Sequence, residues 1–133
     1  MTNVRLQHKF ENFSRRLDRL EEASTYELSV GLNLDGLIQR FEFPLELGWK
    51  LIKAYLEDKG DDVPIHSSKD AVRRTFTLSI IHEPNLWLKM INDRNFLSHA
   101  YDEKEALSVG YRIVNDYLKE FEKLRKIMAS LIN

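Results

Sequence analysis

The chain contains no cysteine. That excludes disulfides and thiolate-held metals, and with them the small disulfide-stapled folds of secreted proteins. Three prolines and five glycines in 133 residues leave no linker-like stretch, no low-complexity tract and no phosphate-cradling glycine loop. No apolar run approaches the ~20 residues that a membrane span needs. The opening Met1-Thr-Asn-Val-Arg-Leu-Gln-His-Lys-Phe10 has no apolar core and no cleavage signal, so a cytoplasmic protein without a membrane anchor is expected. An excess of either charge is also missing. Twenty Lys and Arg face 21 Asp and Glu, for a net charge of −1 and a pI of about 6.4. This argues against a surface coated in base for duplex DNA and confines any RNA contact to a local patch.

What is present is ordinary globular composition, with 43% hydrophobic and 31% charged residues, enough for one domain spanning residues 1–133. The periodicity is helical throughout. Leu6, Phe10, Phe13, Leu17 and Leu20 alternate spacings of four and three, one apolar stripe along a helix. Leu107, Gly110, Val114, Tyr117, Phe121, Leu124, Met128 and Leu131 repeat the pattern nearly to the C-terminus. Asp102-Glu-Lys-Glu105 before them reads as a capping-box start. A long central helix is expected over about Leu34 to Asp58. Pro44 inside it removes a donor and crowds the Arg40 carbonyl, at a cost of ~3 kcal/mol in an unbroken helix. The helix either kinks there or restarts with Pro44 in its first turn; the unbroken periodicity favours the kink. Lys59-Gly-Asp-Asp-Val-Pro64 reads as a stop and loop. Short helices follow, one capped by Ser67 or Ser68 and ending near Ser79, the other from Trp87 to about His99. The expected fold is all-α, an antiparallel up-and-down bundle of four to five helices with a kinked second helix. The long stripes either pack within the chain or extend into a dimer seam.

Chemistry concentrates between Arg94 and Asp102. On a continuous helix Arg94, Ser98 and Tyr101 form one stripe, and Asn95, His99 and Asp102 form the adjacent one. A neutral His99 can take the proton from a ribose 2′-OH, Arg94 can hold the scissile phosphate, and Asn95 can orient the imidazole or the substrate. No metal is needed for that reaction. Five residues apart, however, Arg94 and His99 point about 140° away from each other on a straight helix. Convergence therefore requires the helix to end between them, or a second subunit to complete the site. The bland alternative is a set of C-capping and ion-pairing residues at a helix end. Glu42 and Glu46, one turn apart before Trp49, are either a solvent-facing pair or a support for Arg94. Lys69, Arg73, Arg74 and Lys89 are candidates for a basic patch or plain solvated surface. His8, His66 and His82 lack metal-ligand spacing, so neither metal nor cofactor is expected.

The segment Arg-Asn-x-x-x-His-x-Tyr at 94–101 resembles the Arg-x4-His-x-Tyr motif of HEPN-domain proteins that pair with minimal nucleotidyltransferases. Ile38-Gln-Arg-Phe-Glu-Phe-Pro-Leu-Glu-Leu-Gly-Trp49-Lys and Asn92-Asp-Arg-Asn-Phe-Leu-Ser-His-Ala-Tyr-Asp-Glu103 resemble the nucleotidyltransferase substrate-binding family, a likeness running from about Leu6 to Leu131. The resemblance implies a dimeric helical bundle with the motif near the dimer interface. It also implies a small nucleotidyltransferase partner, often encoded next door. Members of the wider group are metal-independent ribonucleases of toxin–antitoxin pairs. Carried over by position, the family's catalytic residues are Arg94, Asn95 and His99, and the tyrosine that receives AMP is Tyr101. Helix spacing adds Glu42, Glu46, Ser98 and Asp102 as supporting residues. An older reading of the family makes the helical protein a non-catalytic substrate-binding subunit of the transferase. Pro44 departs from the helix-compatible residue usual there.

Overall fold

The computed structural model describes residues 3–133, and every described secondary-structure element is helical. Helix α1 spans Val4–Ala23, capped by the Asn3 side chain, which accepts the Leu6 amide at 3.2 Å. Helix α2 spans Gly31–Asp58 and starts three residues earlier than the apolar pattern implies. It runs through Pro44 as one assigned helix, so the restart at Pro44 is excluded. Gly60, at φ 78°, takes the left-handed conformation that ends this helix and opens the loop. Ser67 caps α3 (Ser68–Thr77), its hydroxyl accepting the Asp70 amide at 3.2 Å. Helix α4 spans Pro84–Leu97, with proline in its first turn, where no amide is missed.

The last rod is α5 (Glu103–Arg112), a single π turn (Ile113–Tyr117) and α6 (Leu118–Ile132), joined without a break. Its start is the expected capping box: Asp102 accepts the Glu105 amide at 2.7 Å and Glu105 accepts the Asp102 amide at 3.3 Å. The π turn is a correction to the uniform stripe. It fits an extra residue into one turn, so the face before it is rotated. Ala106, Val109 and Ile113 are buried there, while Leu107 and Val114 are only half-buried. At the far end Leu131 is exposed rather than part of the core.

Paired residues give the topology. Asn3 meets Asp58 and Arg16 meets Phe43, so α1 and α2 are antiparallel. Phe41 stacks on Tyr117 at 5.8 Å, an added Cβ at Gly110 would meet Leu34, and one at Gly48 would meet Leu124. The last rod therefore runs parallel to α2. Asp93 meets Arg112 and Trp87 meets Phe121, so α4 is antiparallel to that rod. Four rods thus alternate in direction, and short α3 joins α2 to α4. Phe13, Leu17, Leu20, Phe41, Leu51, Met90, Phe121 and Met128 fill the centre with essentially no exposure. Burying side chains of this size stabilises by roughly 1.5–3 kcal/mol each.

Candidate functional site

Helix α4 ends at Leu97, two residues short of the sequence expectation. The reason is local. Ser98 turns its hydroxyl back to donate to the Asn95 carbonyl at 2.6 Å, and the His99 amide closes on the Phe96 carbonyl at 3.1 Å. These bonds take up the last carbonyls and stop the helix. The two-stripe arrangement of a continuous helix is thereby corrected. Arg94 and Asn95 stand on α4, while His99 and Tyr101 lie in the turn leading to α5. Ser98 serves as a cap, not as part of a polar groove, and Asp102 caps the next helix.

Each remaining side chain has a defined setting. Arg94 is half-buried and faces α2, where its Nη2 lies 3.5 Å from Glu46 Oε2. The same oxygen accepts the Trp49 indole N–H at 3.0 Å, and Lys50 Nζ lies 3.0 Å from Glu46 Oε1. Burial works to raise the Glu46 carboxyl, but the bonds from Lys50 and Trp49 and the charges of Lys50 and Arg94 outweigh it and hold it below its usual range. Glu46 is therefore the member of the Glu42–Glu46 pair that holds Arg94. Glu42 is exposed and forms no ion pair among the described residues. Asn95 and His99 are exposed. His99 follows the C-terminus of α4. Tyr101 is 39% exposed and its ring packs on Phe96 at 6.2 Å, which leaves the phenol reachable from solvent.

A buried polar knot anchors this end of α4, and sequence reasoning missed it. Asp93 accepts from Arg112 Nε at 2.8 Å and Nη2 at 3.0 Å, and also from the Tyr117 hydroxyl. The bidentate geometry is that of a strong charge-assisted pair. Burial, then the hydrogen bond to Asp93 and after it the Asp93 charge, push the Tyr117 phenol far above its ordinary value, so it remains a donor at any ordinary pH. Tyr117 is the last residue of the π turn, and Arg112 immediately precedes that turn. The signal was available: Asp93 sits three residues after Met90 and four before Leu97, a carboxylate on the buried stripe of α4. A carboxylate there needs a partner from another helix.

Two of the four candidate cations for a basic patch, Arg73 and Arg74 on α3, are paired. Arg74 donates to Asp61 through Nε and Nη2, at 2.9 and 2.6 Å, and Arg73 lies 3.8 Å from Asp70. Exposed arginines gather instead on α1.

This layout has counterparts. The family described as nucleotidyltransferase substrate binding protein like matches residues 8–130. The chain belongs to that family. A probable ribonuclease HepT of Haemophilus influenzae is 34% identical over 98 residues, 68% of this chain and 66% of the relative's own length. A solved structure from Thermus thermophilus aligns with a TM-score of 0.79 at 28% identity, covering 91% of this chain and 99% of that one. The tri-AMPylated HEPN toxin of Shewanella oneidensis, solved in complex with its MNT antitoxin, aligns with a TM-score of 0.77 at 18% identity, over 96% and 98% of the two chains. A chain of the toxin–antitoxin MntA–HpeT gives 0.78 at 17%, over 96% and 99%. The fold of this family member is thus that of the HEPN toxins. Among the described residues, no helix is long and apolar enough to cross a membrane.

Proposed function

We propose that this family member is the HEPN ribonuclease of a two-component nucleotidyltransferase system, acting as a cytoplasmic homodimer without metal. One observation carries the reading: α4 stops between Arg94 and His99. A straight helix would hold the guanidinium and the imidazole apart, and the break removes that constraint. Glu46 fixes the first and solvent can reach the second. In a two-fold dimer, His99 of one copy takes the ribose 2′-OH proton. The 2′ oxygen then attacks phosphorus while Arg94 neutralises charge on the phosphoryl oxygens. The second copy's imidazolium protonates the departing 5′ oxygen. Asn95 orients substrate or imidazole from the exposed face of α4.

Exposure of the Tyr101 phenol supports the second half of the proposal, silencing by AMP transfer from a partner nucleotidyltransferase encoded nearby. The HepT relative supports the ribonuclease half and the AMPylated toxin the silencing half. The family's description favours one further reading, a non-catalytic subunit that presents substrate to the transferase. RNA cleavage by the purified protein separates them. The ribonuclease reading expects cleavage that His99→Ala abolishes, and it is wrong if that variant cleaves at the parental rate. With the partner and ATP present, mass spectrometry should find the added AMP on a peptide containing Tyr101, and Tyr101→Phe should remove it.

A further inference from the structure

The outward face of α1 carries a run of cations that the motif does not use. Arg5, Lys9, Arg16 and Arg19 follow one another at spacings of four, seven and three, one side of a helix over ~21 Å, and Arg15 flanks them. The acids of α1 mostly point elsewhere. Asp18 and Glu21 turn to the opposite side and bind Arg125 at 2.7 and 3.0 Å. Glu22 lies 3.7 Å from Arg40. Among the described residues, Arg15, Arg16 and Arg19 form no ion pair with any carboxylate. Arg15 bonds only the Asn12 amide.

Across the groove stands α2. Arg40 reaches over to donate to the Arg19 carbonyl at 3.1 Å. Phe43, 42% exposed, sits beneath the Arg16 guanidinium at 4.3 Å. Asn12, Arg15, Arg16, Arg19, Phe43 and Leu47 line an open hollow of about 550 Å³ between the two helices. Phe43 lies three residues, less than one helical turn, before Glu46, which pairs with the motif's Arg94 at 3.5 Å.

We infer that this α1–α2 groove is the path of single-stranded RNA into the motif, with α1 arginines on the phosphates and a base stacked on Phe43. The inference rests on the ribonuclease reading for its substrate class. One observation favours RNA over an acidic protein. The arginines, free of carboxylate partners, suit phosphates and carboxylates alike, but the exposed Phe43 ring among them offers the stacking platform that single-strand sites combine with a basic track. A local track also reconciles RNA binding with a chain of net charge −1.

The test uses the full chain carrying His99→Ala throughout, so that a fluorescein-labelled mixed-sequence oligoribonucleotide stays intact while anisotropy is read. Arg15→Gln/Arg16→Gln/Arg19→Gln should weaken binding by about ten- to a hundred-fold and flatten the logarithmic salt dependence by about 2, at ~0.7 for each lost phosphate contact. Phe43→Ala should weaken it by about five-fold or more. A control that removes the same charge elsewhere, Lys69→Gln/Arg73→Gln/Lys89→Gln, should leave both quantities unchanged. The inference is overturned if the arginine triple binds RNA with parental affinity and salt slope. It is equally overturned if the triple keeps its RNA affinity and loses only the complex with the nucleotidyltransferase, since the groove is then a protein-docking surface. Cleavage by the protein with His99 intact is scored apart. No cleavage, with α1-dependent binding retained, removes the ribonuclease reading and leaves the groove an RNA site.

Discussion

Replacing Asp93 with alanine removes the one acceptor that ties α4 to the π turn. The carboxylate receives two bonds from Arg112 and one from Tyr117. Its side chain is 13% exposed, against 30% for Arg112. Breaking a buried ion pair from one side costs ~3–5 kcal/mol, because the surviving charge stays in low dielectric. Arg112 keeps partial access to water, which moves the expectation to the lower end. The Tyr117 hydroxyl, fully buried, loses its acceptor at a cost of ~1–3 kcal/mol. The two costs overlap, so a total of about 4 kcal/mol is expected. For a chain of this size that lowers Tm by roughly 10–15 °C. Urea unfolding followed by circular dichroism measures the loss at 25 °C. Asp93→Asn should lose less, since the amide oxygen still accepts one bond. A double-mutant cycle with Tyr117→Phe should give a coupling of about 1 kcal/mol or more. An Asp93→Ala protein that melts within about 2 °C of the parent, with the same m-value, refutes the anchoring role.

Glu46→Gln should cost little stability, about 0.5 kcal/mol for so exposed a pair, yet lower the rate of RNA cleavage about ten- to a hundred-fold by releasing Arg94. Unchanged kcat would separate Glu46 from the reaction. Because the folded Glu46 carboxyl titrates below its ordinary value of 4.5, its contribution is present above that pH and lost as the solution is acidified through the lower folded value, so parent and variant should converge in melts at acid pH. Tyr117 has the opposite sign. Its folded value is raised from 10.0, so its contribution is complete below pH 10 and fades above it, and the gap between parent and Tyr117→Phe should shrink by up to ~1.4 kcal/mol per pH unit there. Gly110→Val should destabilise by about 1–3 kcal/mol, since even a Cβ would stand 2.7 Å from the end of Leu34 in a filled core; a rise in Tm would show that the helices have room to separate.

The sequence by itself determined the helices, their order and most of their buried faces. Apolar spacing of three and four is a property of each segment alone, and so are the caps at Asp102 and Ser67, whose bonds reach only three residues along the chain. The motif was legible for the same reason: its residues are neighbours. Long-range partnership was not. Nothing near Glu46 in sequence says that it, and not Glu42, meets Arg94 from 48 residues away. The partners of Asp93 were not legible either, because they lie 19 and 24 residues on. The basic track on α1 was written in its own spacing, but its value depends on Arg74 being occupied by Asp61 and on Phe43 arriving from α2. The π turn belongs to tertiary structure too. Helix propensity varies by tenths of a kcal/mol per residue, whereas stripping one buried ion pair of a partner costs several, so packing decided where the last rod yields.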